Sequence, residues 1–530
     1  MRAASAHLRS VALWVGLFAA LLLPVATVGI PPLQDYPSHL ARDFVLTHWS
    51  DMPALRANYL PDWRVKPDMG GDLFVAALSP VLPYQTAAKL FLVLAMALPV
   101  AGCAALGRAL HGRTGVLPMA AALFVYNLCL AKGLDNYLFG MGAMLMAFAG
   151  WIRSDGSPVW LRTAAFSAAM ALLFFIHLLP VAEFYLLVGA YELARWPGTA
   201  WSRRLERAAP AALSLLPVLL LWTMKPAGAP AATFVYGTPQ DHASSLLGFM
   251  FFYWDLGDRL FMAPIAWAAV MLVLLRKGPV RPMWWPLAAV AAAALLLPEK
   301  MIGGTDVNVR LAAALAPLLV AALPPRTLPS HRRSVFVAAV LVLVAARSAE
   351  MVVRWRPVDA QFAEFRAAAR VIPPGARVLP VTTRTDDALE RNSFTHLIDL
   401  AVIDRCIFSP VMVKVPDQQP IAASVANRAV DGITAVPIPP EVLAESADPA
   451  APAAGAVALV LWGWARPYWL DWPHRFDYVV HVHWGHPGDL LPERLSRVAR
   501  GSYFDIYRVK GRARAAEGAA ASCPTPPRRP

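Results

Sequence analysis

A chain of 530 residues that is 58% hydrophobic and only 16% charged lies well below the roughly 25% charge of soluble domains. That excludes an ordinary soluble enzyme and marks a polytopic membrane protein. The net charge of +13 collects in short loops between apolar runs, where membrane topology accounts for it, so it is no nucleic-acid signature.

The first apolar window, 11–30, follows Arg2 and Arg9 and is about 20 residues long, enough to cross a bilayer. No short apolar core with an A-x-A site follows, so it reads as a retained first helix rather than a cleaved leader. Directly after it stands Pro31-Pro32-Leu33-Gln34-Asp35-Tyr36-Pro37-Ser38-His39-Leu40-Ala41-Arg42-Asp43. An acid where a helix has just left lipid is costly and asks for a functional reason. The competing reading is an Asp that caps the next helix. His39 lies one helical turn after Asp35 and can share its face, and Arg42 with Asp43 reads as a local salt bridge on the same amphipathic helix.

Further windows fall at 83–107, 115–131, 136–152, 162–178, 180–195, 207–224, 259–275, 283–298, 308–324 and 334–350, giving about eleven helices. Residues 162–195 could form one helix kinked at Pro180. Arg153 and Arg162 before them, and Arg195, Arg203, Arg204 and Arg207 after them, favour a hairpin. Alternate loops carry Arg108 and Arg113, those two groups, then Arg276, Lys277 and Arg281, and finally Arg326, Arg332 and Arg333. The positive-inside rule therefore places the N-terminus in the cytoplasm. The Asp35 loop, the 132–136 turn, the 225–258 and 299–309 loops and everything beyond 352 then share the outer side, the periplasm of a bacterial inner membrane.

From 352 the composition changes. Segments 376–381 and 476–482 read as buried strands, 361–371, 396–404 and 492–499 as helices, and 503–509 as a last strand. This predicts a periplasmic α/β domain over 352–510, with an Ala/Pro-rich loop at 446–456 and a disordered tail over 511–530. Cys103 and Cys129 fall in apolar windows as small hydrophobes. Cys406 and Cys523 lie on the outer side, where a bridge between them is open. His481-Val482-His483-Trp484-Gly485-His486 puts two imidazoles on one strand face, but no carboxylate or Cys completes a metal site, so a polar strand face is expected. No P-loop, dinucleotide fingerprint or nucleophile elbow is present.

A carboxylate at the membrane surface can take the proton of an acceptor hydroxyl, and cations can stabilise a departing phosphate. Asp35 is the candidate base. Asp135, in Ala131-Lys132-Gly133-Leu134-Asp135-Asn136-Tyr137, could orient an acceptor or simply form an Asp-Asn turn. Lys66, Lys132, Lys300 and Arg310 are the outer-side cations. An Arg at a helix entrance can grip phosphate bidentately, against the alternative of snorkelling to headgroups. Glu183, with His177 beside Pro180, is the ionisable residue nearest a span interior, which makes it a candidate site residue.

An Asp directly after the first helix, in Leu33-Gln34-Asp35-Tyr36-Pro37, and a second acid in the outer turn after the third helix, Asp135, resemble the GT-C superfamily of polyprenyl-phosphate-sugar-dependent membrane glycosyltransferases. These include protein O-mannosyltransferases and the aminoarabinose transferase of lipid A. The resemblance covers roughly 8–350 and lacks the adjacent Asp-Glu pair of several members. It implies a GT-C-like transmembrane domain over 1–351 and a polyprenyl-phosphate sugar donor. It also implies a periplasmic lipid or glycan acceptor and inverting transfer with Asp35 as general base. His39, Lys66, Lys132, Glu183, Lys300 and Arg310 are then expected to contact substrate. A divalent metal ion is the one cofactor in question, with Asp35, Asp135 and His39 as its available ligands. The competing functions are a non-enzymatic transporter or assembly subunit of an envelope-polysaccharide system, which should show paired intramembrane charges, and a degenerate glycosyltransferase fold.

Overall fold

The computed structural model describes all residues except 1, 114, 227–233, 254, 275–277, 302–303, 326–327, 384–391, 434–435, 448–466, 486–489, 492, 513–522 and 524–530. Helix α1 (Arg2–Thr27) leads to a compact outer layer of α2 (Tyr36–His48), α3 (Pro53–Asn58), strand β1 (Tyr59–Pro61) and α4 (Gly70–Leu78). The bundle continues with α5 (Tyr84–His111), α6 (Leu128–Ala131), α7 (Asp135–Arg153), α8 (Val159–Ile176), α9 (Leu178–Ala194) and α10 (Trp201–Thr223). It closes with α11 (Pro239–Gly248), α12 (Leu256–Leu274), α13 (Trp284–Leu296), α14 (Val307–Ala322) and α15 (Arg333–Ala368). Among the described residues, four helices are long and apolar enough to cross a membrane by length and composition, Tyr84–His111, Val159–Ile176, Trp201–Thr223 and Arg333–Val371. Val11–Thr27 and Val307–Ala322 are shorter apolar helices.

Two windows differ locally from a plain helix. The 115–131 window is a 3-10 segment, Leu117–Phe124, followed by α6. Asn127 separates them, its side-chain oxygen accepting from the Leu130 N–H at 2.9 Å. Residues 162–195 form the expected hairpin, but the break is at His177, which is extended (φ −168°, ψ 136°). Pro180 sits in the first turn of α9, where a missing N–H costs nothing.

Helices α5 and α7 cross at near backbone contact. A Cβ at Gly142 would lie 2.4 Å from the Leu98 carbonyl carbon, and one at Gly102 would lie 2.7 Å from the Gly142 oxygen. Small residues allow such approach between apolar helices, and the contact fixes the axis whose first turn carries Asp135. On the other side of α1, the Asp359 carboxylate accepts from the Gly29 and Ile30 N–H groups at 2.7 and 2.8 Å. That fixes the point where the Asp35 loop leaves the first helix.

Helix α15 runs unbroken past the expected boundary at 352. Its 36 residues, about 54 Å at 1.5 Å per residue, join the bundle to the C-terminal domain. There, strands β2 (Val378–Thr382), β4 (Tyr478–Val482), β5 (Leu495–Arg500) and β6 (Phe504–Val509) form a sheet of order β2-β4-β6-β5, with β2 and β4 parallel and the other pairs antiparallel. Of the expected helix at 492–499, residue 492 lies outside the described residues, and 495–499 belong instead to edge strand β5. Its polar, helix-like spacing yields to ladder bonds with β6, a non-local term the segment does not carry in itself. Strand β3 (Ile421–Ala423) pairs antiparallel with β1, so one ladder joins the two halves of the chain. The short helix α16 (Leu400–Arg405) packs on α2. Cys406 and Cys523 are bonded. Most of the 446–456 loop and of the tail after 512 lie outside the described residues, as does His486. His481 and His483 are buried on the sheet.

The expected Arg42–Asp43 pair does not form. Arg42 Nε instead donates to Asp72 Oδ1 of α4 at 2.5 Å, both side chains buried, because α2 lies against α4.

Candidate active site

A cavity of about 870 Å³ opens where the Asp35 loop, α2, the 132–137 turn, the start of α9, the 299–310 segment and a C-terminal-domain loop around 413–419 converge. The Asp35 loop lies along the 131–133 turn, with Gln34 N–H on the Ala131 oxygen at 3.0 Å and Asp35 N–H on the Lys132 oxygen at 3.2 Å. Gly133 adopts φ +77°, and a Cβ there would come within 3.0 Å of the Asp35 nitrogen, so only glycine fits this close approach.

Asp35 makes no side-chain cap on α2, which removes the simple capping role. Its Oδ1 lies 3.5 Å from His396 Nε2, and His396 Nδ1 lies 3.4 Å from Asp399 Oδ2. Burial alone would weaken Asp35 as an acid, but His396, His39 and Lys132 outweigh it and hold the pKa below the usual carboxylate value. Burial opposes a charge on His396 as well, yet Asp35 and Asp399 raise its pKa to about 9.

Asp135 occupies the first turn of α7, where it accepts from the Asn136 N–H at 2.8 Å. Its carboxylate lies 3.3 Å from His39 Nδ1. Burial disfavours the charged His39, but Asp135 prevails and raises its pKa, with Asp35 adding to the effect. The two sequence-predicted acids thus line one cavity with His39 in electrostatic reach of both.

Lys132, Lys300 and Arg310 also line it. Lys132 Nζ binds Asp306 Oδ1 at 2.5 Å. Burial lowers the Lys300 pKa, partly offset by Glu299 and Asp306. Arg310 is buried, its Nη1 2.7 Å from His177 Nε2 and its guanidinium carbon 5.8 Å from the Tyr137 ring centre. Its Nε has no hydrogen-bond partner.

Lys66 and Glu183 do not line the cavity. Lys66 is fully buried, donating to Asp62 Oδ2 at 2.8 Å and to the Gln419 carbonyl at 2.9 Å; it ties the outer layer to the C-terminal domain. Glu183 lies beneath the floor, its Oε1 3.0 Å from the Tyr137 hydroxyl, whose one proton is shared between that carboxyl and the Arg310 carbonyl.

Sequence reasoning missed Asp68, His396, Asp399, Asp417 and Gln419. Asp68 has φ +64°, a conformation that is uncommon outside glycine and clusters at functional sites. It accepts from Asn136 Nδ2 at 3.0 Å and from Gln419 Nε2 at 3.2 Å. Burial pushes its pKa up to about 6, against the pull of Arg310 and Arg42. Asp417 binds Lys225 at 2.9 Å. The Pro67-Asp68 and Gly70-Gly71 pairs announce a turn but not its chemistry, and the C-terminal residues carry no local signal at all.

Among the described residues, no group of three or more His, Cys, Asp or Glu side chains is arranged to hold a metal ion. Asp35, Asp135 and His39 do not form such a group.

No family model and no curated protein matches the chain. Among solved structures it is similar to ArnT from Cupriavidus metallidurans in the apo state, at 13% identity over 94% of this chain and 98% of that one (TM-score 0.49). The same protein bound to undecaprenyl phosphate matches at 13% identity over 93% and 97% (TM-score 0.47). Arabinofuranosyltransferase AftD from Mycobacteria matches at 17% identity over 94% of this chain and 40% of that one (TM-score 0.46).

Proposed function

We propose that this chain is an inverting membrane glycosyltransferase, moving a sugar from a polyprenyl-phosphate donor to a hydroxyl of a lipid or glycan acceptor on the periplasmic side. The observation that carries this reading is one cavity holding both halves of the required chemistry. Asp35 supplies a carboxylate kept ionised by its cationic neighbours. Arg310 supplies a buried guanidinium that joins no salt bridge among the described residues and leaves its Nε unpartnered. Burying such a charge without an anion is costly, and a phosphate would satisfy it with the planar fork that arginine offers.

In the transfer, Asp35 takes the proton of the acceptor hydroxyl as that oxygen attacks the anomeric carbon. The bond from that carbon to the phosphate oxygen breaks, and the electron pair leaves with the polyprenyl phosphate. Arg310, with Lys132 and Lys300 nearby, stabilises the charge gained by the leaving group. A single displacement inverts the anomeric centre. Asp135 and His39 border the acceptor side of Asp35, while Lys66 and Glu183 act as internal supports.

The test uses membranes carrying wild type, Asp35→Asn or Arg310→Ala, supplied with a panel of labelled polyprenyl-phosphate sugars. Loss of a general base lowers the rate by about 10²–10⁴-fold, so Asp35→Asn should lose transfer on that scale, while Arg310→Ala raises the KM for donor. Equal transfer by wild type and Asp35→Asn sinks the base assignment. No transfer by wild type from any donor in the panel sinks the enzymatic reading.

A further inference from the structure

Behind Asp35 stands a chain of buried polar groups contributed by the C-terminal domain. His396 Nε2 faces Asp35 Oδ1 at 3.5 Å, and its Nδ1 faces Asp399 Oδ2 at 3.4 Å. Asp399 Oδ1 accepts from the Ser409 hydroxyl, and the Ser409 N–H donates to the Tyr59 hydroxyl of β1 at 2.9 Å. The side chains of His396 and Asp399 are 5% and 0% exposed, so neither charge is left to water. The turn that carries them is pinned on both sides of the Asp35 loop. Ser393 Oγ donates to the Pro32 carbonyl at 2.7 Å, and the Val413 N–H donates to Ser38 Oγ at 2.9 Å.

These contacts are ion pairs rather than hydrogen bonds, since His396 Nδ1 and Asp399 Oδ2 have no hydrogen-bond partner. A buried imidazole set between two carboxylates holds them in place by charge, and it lies on the Oδ1 side of Asp35, with Oδ2 facing away from it. We propose that His396 is a positioning residue for Asp35, so that the active site is complete only with the C-terminal domain docked; the functional part of this inference rests on Asp35 being the base. The charged groups acting on Asp35 are His396, His39 and Lys132, and those acting on His396 are Asp35 and Asp399. A plain docking contact predicts the same burial, so the test must read the ionisation of Asp35 and His396 rather than the presence of the fold.

The first measurement needs no substrate. In the full-length chain with ring-labelled histidines, the His396 resonance is identified by its loss in His396→Gln and titrated by NMR. It should titrate near pH 9 in wild type and lower in both Asp35→Asn and Asp399→Asn. An ordinary imidazole titration, unmoved by Asp35→Asn, overturns the pairing. The second measurement is the pH profile of kcat/KM for transfer. His396→Gln keeps an uncharged donor but removes a cation, so the acid limb set by Asp35 should move to higher pH. A lower rate with an unmoved limb overturns the positioning role. Full activity of Asp35→Asn would instead defeat the base assignment, a failure the NMR titration does not share.

Discussion

The buried pair Arg42–Asp72 offers a quantitative test of how the outer layer is held. Its side chains are 2% and 0% exposed, with Nε and Oδ1 2.5 Å apart. At an effective dielectric of about 20, unit charges roughly 4 Å apart attract by about 4 kcal/mol. Removing one partner of a buried pair costs about 3–5 kcal/mol, because the other is left uncompensated. Burial first and the Asp72 charge second push the Asp43 carboxyl well above the usual range, so Asp43 is a poor substitute partner for Arg42. The assay is equilibrium unfolding of the detergent-solubilised chain in SDS, followed by tryptophan fluorescence. The double variant Arg42→Met/Asp72→Leu should return to within about 1 kcal/mol of wild type, as apolar replacement of a buried pair often does. A loss below about 0.5 kcal/mol in Asp72→Ala, on the scale of an exposed pair, refutes the reasoning.

Three further outcomes follow from particular contacts. Gly142→Ala places a methyl 2.4 Å from the Leu98 carbonyl carbon, and overpacking of this kind costs about 1–3 kcal/mol; the thermal midpoint should fall, whereas Gly16→Ala, with open space around it, should leave it unchanged. The Asp68 pKa is raised by burial to about 6, so its contribution to stability is complete below the unfolded value near 3.9 and is lost as pH rises through about 6; Asp68→Asn, which tolerates the positive φ, should flatten the stability profile between these values. Of the four cysteines, Cys406 and Cys523 are bonded and Cys103 and Cys129 are free; alkylation of the denatured, unreduced protein should modify two and, after reduction, all four, as read by mass spectrometry.

Four of the apolar windows, near 83–107, 162–178, 207–224 and 334–350, return as helices of spanning length among the described residues, because a span writes its length directly into the sequence. Asp35 and Asp135 stand out in the sequence because each lies beside an apolar window, and the structure places both at one cavity. What escaped depends on partners far along the chain. Nothing around His396 distinguishes it from other polar turn residues until the domain is docked and Asp35 faces it. Segment 492–499 spaces its apolar residues like a helix, and pairing with β6 makes 495–499 a strand. The His177 break was misplaced because Pro180 is the stronger local signal, although the first turn of a helix accepts proline freely.

The cations show how burial separates support from function. Lys66 looked like a phosphate ligand by topology, but Asp62 stands four residues before it, and that carboxylate together with the Gln419 carbonyl satisfies it. Lys132 is likewise matched by Asp306. Arg310 differs in kind. It is buried, as Lys66 is and Lys132 is not, yet its contacting side chains are an imidazole and an aromatic face. Neither brings the negative charge that repays desolvation of a guanidinium. Asp68 and Asp306 act on Arg310 electrostatically, but no carboxylate among the described residues forms a salt bridge with it, which leaves its planar fork open to an anion that arrives. By that physical criterion Arg310, rather than Lys66, is the residue whose loss should weaken binding of a phosphate-bearing donor while leaving the docking of the two halves intact.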